Sequence, residues 1–154
     1  MFREMRRNAQ QLSFKENEEI LKRNQSAVLG VQTENGYPYT VPINYYYEYP
    51  YIYFHCANKG YKLESIKKNS KVSLCIIDQD EIYAEKLATN YKSVILFGKA
   101  VLLEDKKEAL LKFGRKYSHD IELIDKDIME SWNRVVCIRI QIEHMTGKKG
   151  IYVE

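Results

Sequence analysis

The stretch YFHCANKGYKLESIKKN, residues 53–69, passes from a strand-like run of aromatic residues through a glycine turn into a basic helix. Before the turn the side chains alternate, so that His55 shares a face with tyrosines and Cys56 lies on the opposite face. After Gly60, apolar residues recur at helical spacing. The stretch therefore predicts a strand, a tight turn and a short helix in direct succession.

The start of this helix has the features of an anion site. Free backbone amides and the positive end of the helix dipole stabilise negative charge at a helix N-terminus. Gly60 allows a close backbone approach, and Lys59 or Lys62 adds a positive charge. The same spacing also fits an ordinary helix start whose lysines are solvated. The residues alone leave both interpretations open.

Strands account for much of the remaining chain. Strand-like runs occur at residues 27–33, 39–48, 51–56, 71–78, 93–104 and 134–147. The run at 93–104 is apolar on both faces, which predicts a core contact on one face and a subunit contact on the other. The polar segment 79–92 is predicted to be a long loop.

Helices are predicted on either side of the strands. Ser13-Phe14-Lys15-Glu16 matches a capping box that begins a helix running to about Lys22. Further helices are expected at 105–118 and, shorter, near 127–132. Because hairpins dominate and no βαβ series occurs, the order of elements predicts an antiparallel barrel with helices packed at its ends. The 154 residues are expected to form a single domain, 1–154.

Composition and charge narrow the function classes. The net charge of +3 is too small and too dispersed to indicate a nucleic-acid partner. No apolar run approaches the ~20 residues that span a membrane, and the N-terminus lacks the apolar segment of a secretory signal. The three cysteines are widely spaced, which argues against a disulfide framework and favours a cytoplasmic location.

No residue spacing typical of a metal site or of a nucleophile–base pair occurs in the sequence. His55 and Cys56 are adjacent on a strand and point to opposite faces, so they cannot share a metal or act as a nucleophile–base pair. His119 and His144 are isolated in sequence, and no metal site is predicted.

The 13 tyrosines concentrate in and around the strands at 37–53. They suit an aromatic ligand pocket or an interface, and equally a β-rich chain that uses tyrosine as a strand former.

Four segments occur in an order and spacing that resemble a known family. They are GYPYTVPINYYYE (36–48), IYFHCANKGYKLESIKKNSKVSLCI (52–76), TNYKSVILFGKAVLLED (89–105) and HMTGKK (144–149). From about Met5 to Lys149 the chain resembles flavin-binding split-barrel proteins related to pyridoxamine-5′-phosphate oxidase, and most closely their nitroimidazole-resistance branch. The resemblance implies a mainly β protein with flanking helices, built as a six-stranded antiparallel split β-barrel. It also implies a homodimer with FMN, or alternatively FAD, bound at the subunit interface.

The resemblance further implies which residues contact the flavin. Lys62 would bind the phosphate, residues 42–45 would border the flavin ring largely through backbone groups, and residues 90–94 would approach from the other subunit. The implied cofactor-binding residues are Pro42, Ile43, Asn44, Tyr45, His55, Cys56, Ala57, Gly60, Lys62, Asn90, Tyr91, Ser93, Val94 and Lys148. His55 is also the candidate catalytic residue, because it would lie close enough to contact a bound acceptor.

The function implied by this resemblance is that of a flavin-dependent oxidoreductase. Its substrates would be nitroimidazole-type or other small aromatic acceptors, with NAD(P)H as one option for the electron donor. True pyridoxamine-phosphate oxidase activity is not expected, because the chain lacks the Arg- and His-containing C-terminal substrate motif of that enzyme. The alternative is a flavin-binding or sensing protein without turnover. Neither a nucleic acid nor a membrane is expected as a partner.

Overall fold

Seven strands form one antiparallel sheet at the centre of the protein. The structure, a computed structural model, describes residues 1–154. The strands are β1 (Ser26–Gln32), β2 (Pro38–Asn44), β3 (Tyr46–Glu48), β4 (Tyr51–Ala57), β5 (Lys71–Tyr83), β6 (Ala88–Leu102) and β7 (Val135–Lys149). Their order across the sheet is β2-β1-β5-β6-β7-β4-β3, and all neighbouring strands are antiparallel.

Four helices flank the sheet: α1 (Phe14–Arg23), α2 (Tyr61–Lys68), α3 (Lys107–Tyr117) and α4 (Ile121–Ser131). The predicted capping box begins α1, since the Ser13 hydroxyl accepts from the Glu16 amide and the Glu16 carboxylate accepts from the Ser13 amide. The predicted helix near 127–132 is longer than expected, because Asp120 caps α4 by accepting from the Leu123 amide at 3.1 Å. None of the helices is long and apolar enough to cross a bilayer.

The sheet has seven strands, not the predicted six, and hydrogen bonds do not close it into a barrel. The predicted strand 39–48 divides at Tyr45, because the Tyr45 amide donates to the Gln25 carbonyl and its own carbonyl accepts from the Lys116 ammonium at 2.5 Å. The two pieces, β2 and β3, lie at opposite edges of the sheet. The chain therefore crosses from one sheet edge to the other at a single residue.

The predicted loop at 79–92 is a β-hairpin, so that prediction was wrong. β5 and β6 continue to pair from Gln79–Lys92 to Tyr83–Ala88, past an irregularity in the register, and a 3₁₀ turn at Ala84–Lys86 connects them. Most side chains of this hairpin are exposed or only half-buried. Backbone pairing alone defines the hairpin, and for this reason no apolar alternation marks it in the sequence.

The inner face of the sheet carries the hydrophobic core. Its largest fully buried side chains are Tyr45, Phe54, Ile20, Leu21, Leu29, Ile52, Leu63, Leu74, Ile76, Leu96, Ile138 and Ile140. In β6 the predicted two-sided pattern is present, with Val94 completely buried on the inner face and Ile95 43% exposed on the outer face. The sheet thus buries one face within the subunit and leaves apolar side chains on the other.

The outer face is divided into two halves. In the covered half, α3 and α4 pack over β4 and the first part of β7, where Ala109 and Leu110 form a buried cluster with Val135 and Cys137. In the open half, no helix covers a cross-strand row of side chains. The register places this row, Pro42, Val28, Cys75 and Ile95, on adjacent strands.

Candidate functional site

The predicted flavin-contacting residues fall into two groups in the structure. Group 1 lies on β2, the end of β4 and the start of α2; it consists of Pro42, Asn44, His55, Ala57, Gly60 and Lys62. Group 2 lies in the first part of β6 and at the end of β7; it consists of Asn90, Tyr91, Ser93 and Lys148. β2 and β6 are three strand spacings apart, roughly 14 Å. β4 does pair with β7, but His55 lies opposite Cys137, and Lys148 is 11 residues, about 36 Å of extended strand, further along β7.

Group 1 surrounds an opening in the sheet. β3 pairs only with residues 51–53 of β4, so residues 54–57 have β7 on one side and no strand on the other. β2 likewise has a strand partner only in β1. Tyr39 of β2 packs edge-to-face against Tyr61 of α2, with ring centroids 5.1 Å apart. The backbones of β2 and β4 therefore offer unpaired polar groups to a ligand at this opening.

The start of α2 combines a free cation with uncapped amides. Gly60 has a φ of 143°, a value that L side chains rarely adopt, and a Cβ added there would meet no atom within 4 Å. No side chain caps α2, in contrast to α1 and α4. Lys62 is half-buried and pairs with no acidic side chain. The geometry suits an anion approaching the first turn of the helix.

His55 faces the covered half and stays close to α3. Its ring packs edge-to-face against Phe113, with centroids 4.9 Å apart and planes at 85°. Burial lowers the pKa of His55 below its ordinary value, Asp127 opposes this shift, and Lys62 adds to it. The imidazole is therefore mostly neutral at pH 7, with one nitrogen able to donate a hydrogen bond and the other able to accept one.

Three of the predicted residues can reach a ligand only through their backbone, and a fourth, Cys56, is half-buried. The side chains of Ile43, Tyr45 and Val94 are buried in the core, and Cys56 packs against the same core. Burial raises the pKa of the Cys56 thiol, although Lys62 partly opposes this, so the thiol is protonated at neutral pH. As expected from the alternation of strand side chains, Cys56 is no nucleophile for His55 to activate.

Group 2 contains a buried polar atom without a partner. The Asn90 side-chain oxygen is buried and accepts no hydrogen bond. Ser93 and Lys148 are direct cross-strand partners, and the Lys148 ammonium lies 5.7 Å from the centre of the Tyr91 ring. A buried acceptor without a donor is costly. A ligand that carries an N–H group would satisfy it.

Sequence reasoning missed the residues of α3 and α4 that stand beside His55. A cavity of about 470 Å³ lies between α3, α4 and β4, and its lining includes His55, Tyr117 and Asp127. The Asn44 side chain is near enough to the Tyr117 hydroxyl to lower the pKa of that phenol, although burial raises it overall. The sequence signal was weak: the apolar face of α3 at Leu110, Phe113 and Tyr117 has the spacing of any core helix.

A second and larger concavity does not contain the predicted residues. Its volume is about 750 Å³, and it lies on the open half between the N-terminal residues and the exposed side chains of β1, β5 and β6. Phe2 stacks there on Phe97 and His144, with centroids 5.5 Å and 4.9 Å away. Volume alone therefore does not identify the predicted site, because this concavity is a broad depression on an uncovered sheet face.

The sequence matches the model of a known family over most of its length. The family model for pyridoxamine 5′-phosphate oxidase matches residues 14–149, so the chain belongs to this family. The predicted resemblance is thereby confirmed. No curated protein matches the sequence.

Three solved structures share the fold. A protein described as a 5-nitroimidazole antibiotic resistance protein, from Bacteroides thetaiotaomicron, is 23% identical over 90% of this chain and 85% of that chain, with a TM-score of 0.75. An FAD-binding protein from Mesorhizobium loti is 26% identical over 90% of this chain and 94% of that chain, with a TM-score of 0.65. A conserved hypothetical protein from Mycobacterium tuberculosis is 18% identical over 95% and 90%, with a TM-score of 0.80. The predicted fold class, mainly β with flanking helices, is confirmed.

Proposed function

We propose that the protein binds a flavin, FMN or FAD, between two subunits and uses it to reduce small aromatic acceptors, nitroimidazole-type compounds among them. The observation that carries the proposal is the start of α2, where Lys62 without an acidic partner and the uncapped amides after Gly60 lie near His55. Membership of the pyridoxamine 5′-phosphate oxidase family and the FAD-binding protein among the structural neighbours support it.

The residues present fit a flavin. The first turn of α2 with Lys62 would hold a phosphate group. The unpaired backbone of β2 at 42–45 and of β4 at 55–57 would hydrogen-bond to the polar edge of the flavin ring. The orphaned Asn90 oxygen of group 2 is an acceptor suited to a ring N–H.

A homodimer is part of the proposal. Ile95 and Val28 of the open half are 43% and 38% exposed, which leaves an apolar row uncovered in a single subunit. Groups 1 and 2 are too far apart to act on one ring edge within a subunit. Packing two open halves together would bury the apolar row and bring group 2 of one subunit toward group 1 of the other.

The chemistry divides between the cofactor and the chain. A bound flavin supplies the transfer of hydride or of electrons from a donor such as NAD(P)H to an acceptor. The chain holds and orients that group, and His55, which is mostly neutral, would contact the acceptor by donating one hydrogen bond. A cytoplasmic location is also proposed, since all three cysteines are free.

The competing function is flavin binding without turnover. The FAD-binding protein from Mesorhizobium loti, at 26% identity, supports this alternative as well as it supports the first. Both functions require the same flavin site. They differ in whether reduced protein passes electrons to an acceptor.

The first experiment is a visible spectrum of the purified protein, with the released cofactor identified by mass. A flavin spectrum with FMN or FAD released by denaturation is the expected result. A colourless protein that also fails to bind added FMN and FAD would rule out both functions.

A second experiment separates the reductase from the binder. The flavin-loaded protein is reduced anaerobically with NADPH or dithionite and then mixed with 2-methyl-5-nitroimidazole. Rapid return of the oxidised flavin spectrum is expected of the reductase. Reoxidation no faster than that of free reduced flavin would instead support flavin binding without turnover.

A further inference from the structure

We propose that the cavity between α3, α4 and β4 is the acceptor pocket, and that it favours flat aromatic molecules carrying a positive charge. The inference rests on the proposed function, because it names the substrate class of that same site. It assigns a recognition role to two helices that contribute none of the predicted flavin-contacting residues.

The cavity has the size and lining of a small-molecule pocket. Its volume of about 470 Å³ is within the usual range for ligand sites. Apolar side chains form most of its wall, with a few polar groups among them. The full lining is His55, Leu110, Phe113, Gly114, Tyr117, Ser118, Leu123, Ile124, Asp127, Ile128, Ser131 and Val135.

Aromatic rings define part of the wall. Phe113 is only 3% exposed, and its ring is held between Tyr46, at a centroid distance of 6.3 Å, and His55 at 4.9 Å. Tyr117 lines the same cavity. Because Phe113 is already fixed, it loses no further rotamer freedom when a planar guest packs against it. The wall therefore favours an aromatic molecule over a flexible aliphatic one.

Asp127 gives the pocket its charge preference. It is the one formally charged side chain in the lining, and it forms no ion pair within the protein. Its field already reaches His55, whose pKa it raises against the effect of burial. The nearby cation, Lys62, lies outside the lining. A ligand whose positive edge faces Asp127 gains a charge-assisted contact that a neutral ligand of the same shape lacks.

The cavity adjoins the proposed flavin position. His55 belongs both to group 1 and to the cavity lining, and Tyr117 of the lining lies beside Asn44 of group 1. A molecule in the cavity would therefore contact the same residues that border the flavin. This contiguity favours an electron acceptor over an unrelated ligand.

The test compares two probes of the same shape and different charge, 4-nitrobenzamidine and 4-nitrobenzamide. Calorimetric titration of the purified protein, with whatever flavin it carries, is expected to show tighter binding of the cationic probe by about fivefold to tenfold. Asp127→Asn should remove this preference. Asp125→Asn is the matched control, because it makes the same charge change on α4 at a residue outside the cavity lining.

A second variant tests the location of the probe. Leu123 lines the cavity but is 56% exposed, so Leu123→Trp narrows the cavity without removing a core contact. It should weaken both probes. Equal affinity for the two probes, or no effect of Asp127→Asn and Leu123→Trp, would overturn the inference.

The flavin spectrum keeps this test separate from the proposed function. Charge-selective binding that depends on Asp127, in a protein whose reduced flavin the cationic probe reoxidises faster than the neutral one, supports an acceptor pocket. A flavoprotein that shows no probe selectivity loses this inference and keeps the proposed function. Selective binding in a protein that takes up no flavin would rule out that the cavity is an acceptor pocket, because no electron source would then adjoin it.

Discussion

The two halves of the outer sheet face differ in how their apolar side chains are covered. Each half presents large apolar or aromatic side chains away from the core. In the covered half, α3 and α4 bury the outward side chains of β7, as shown by Val135 at 9% and Cys137 at 0% exposure. In the open half, Ile95 and Phe97 remain 43% and 40% exposed. One half is therefore complete in a single subunit, and the other is complete only if a second surface packs on it.

This difference indicates what each half does for the site. A covered half can fix the geometry around His55 within one chain, because packed helices hold its neighbours in single rotamers. The open half has no such helices, and in the proposed dimer a second subunit would complete it.

Removing the ring of Phe113 should destabilise the protein most. Phe113→Ala is expected to lower the free energy of unfolding by about 3–5 kcal/mol, since it opens a cavity beneath α3. Phe97→Ala on the open half is the matched control and should cost clearly less. Urea unfolding followed by circular dichroism measures both. Similar losses for the two variants would mean that the halves do not differ in packing.

A charge on the open half should break the proposed dimer. Ile95→Glu places a carboxylate in the apolar row, and burying an unpaired charge costs about 3–5 kcal/mol, or more than 100-fold in the dimer dissociation constant. Light scattering at micromolar concentration should change from dimer to monomer. Met129→Glu, at an exposed apolar position on α4, is the control and should remain dimeric. A parent protein that is already monomeric would refute the dimer.

Loss of the cation at α2 should weaken flavin binding. Lys62→Ala removes one charge-assisted contact, which is worth roughly 1.5–3 kcal/mol, or about 10- to 150-fold in the flavin dissociation constant. Lys67→Ala, in the last turn of the same helix, is the control. Fluorescence titration with FMN and FAD measures the change. Undiminished affinity in the Lys62 variant would remove the phosphate assignment.

An ion pair connects the end of the open half to α1. Its contribution to the stability of the fold should depend on pH. Arg23 Nε donates to Asp78 Oδ1 at 2.7 Å, and Asn24 Nδ2 donates to the same oxygen at 2.8 Å. The Arg23 hydrogen bond lowers the pKa of Asp78 below its model-compound value of 3.8. The pair therefore stabilises the fold above that value, and the stabilisation is lost as pH falls through the lowered folded-state pKa.

Asp78→Asn tests this pair. At pH 7 the variant should be less stable than the parent by about 1–2 kcal/mol, and the gap should close in acid. Unfolding curves at pH 7, 5 and 3 give the comparison. A gap that is constant across this range would mean that the charge of Asp78 contributes nothing.

The smallest expected effect is the titration of His55. Its folded-state pKa is lowered by burial, so protonation destabilises the folded state and stability is lost as pH falls below the ordinary histidine value. The imidazole signals in NMR should titrate with a midpoint below 6.5. Asp127→Asn should lower the midpoint further, because Asp127 favours the charged ring. A midpoint above 6.5 would contradict the burial that α3 provides.

Local patterns predicted most elements of the fold. The capping box at Ser13, the glycine turn at Gly60 and the two-sided apolar run of β6 all appear where the sequence placed them. Each depends on residues close in sequence, whose spacing sets the conformation directly. The hairpin at 79–92 was missed because its strands carry no buried face.

The site was predicted less completely than the fold. The family resemblance indicated His55 and Lys62, but not their neighbours Phe113, Tyr117 and Asp127. Those three residues follow the end of β4 by more than fifty positions, and in sequence they look like ordinary core and surface positions. Only the packing of α3 and α4 on the sheet brings them to His55.

The sequence by itself determined a mainly β chain with flanking helices, its family, and the helix start after Gly60, because these depend on periodicity, caps and motifs. The tertiary structure decided three further features: the break at Tyr45, the separation of groups 1 and 2, and the cavity beside His55. The break depends on two hydrogen bonds of Tyr45: its amide donates to the Gln25 carbonyl, and its carbonyl accepts from the ammonium of Lys116, which is 71 residues away. Contacts over such separations are set by how whole elements pack, which no local pattern encodes.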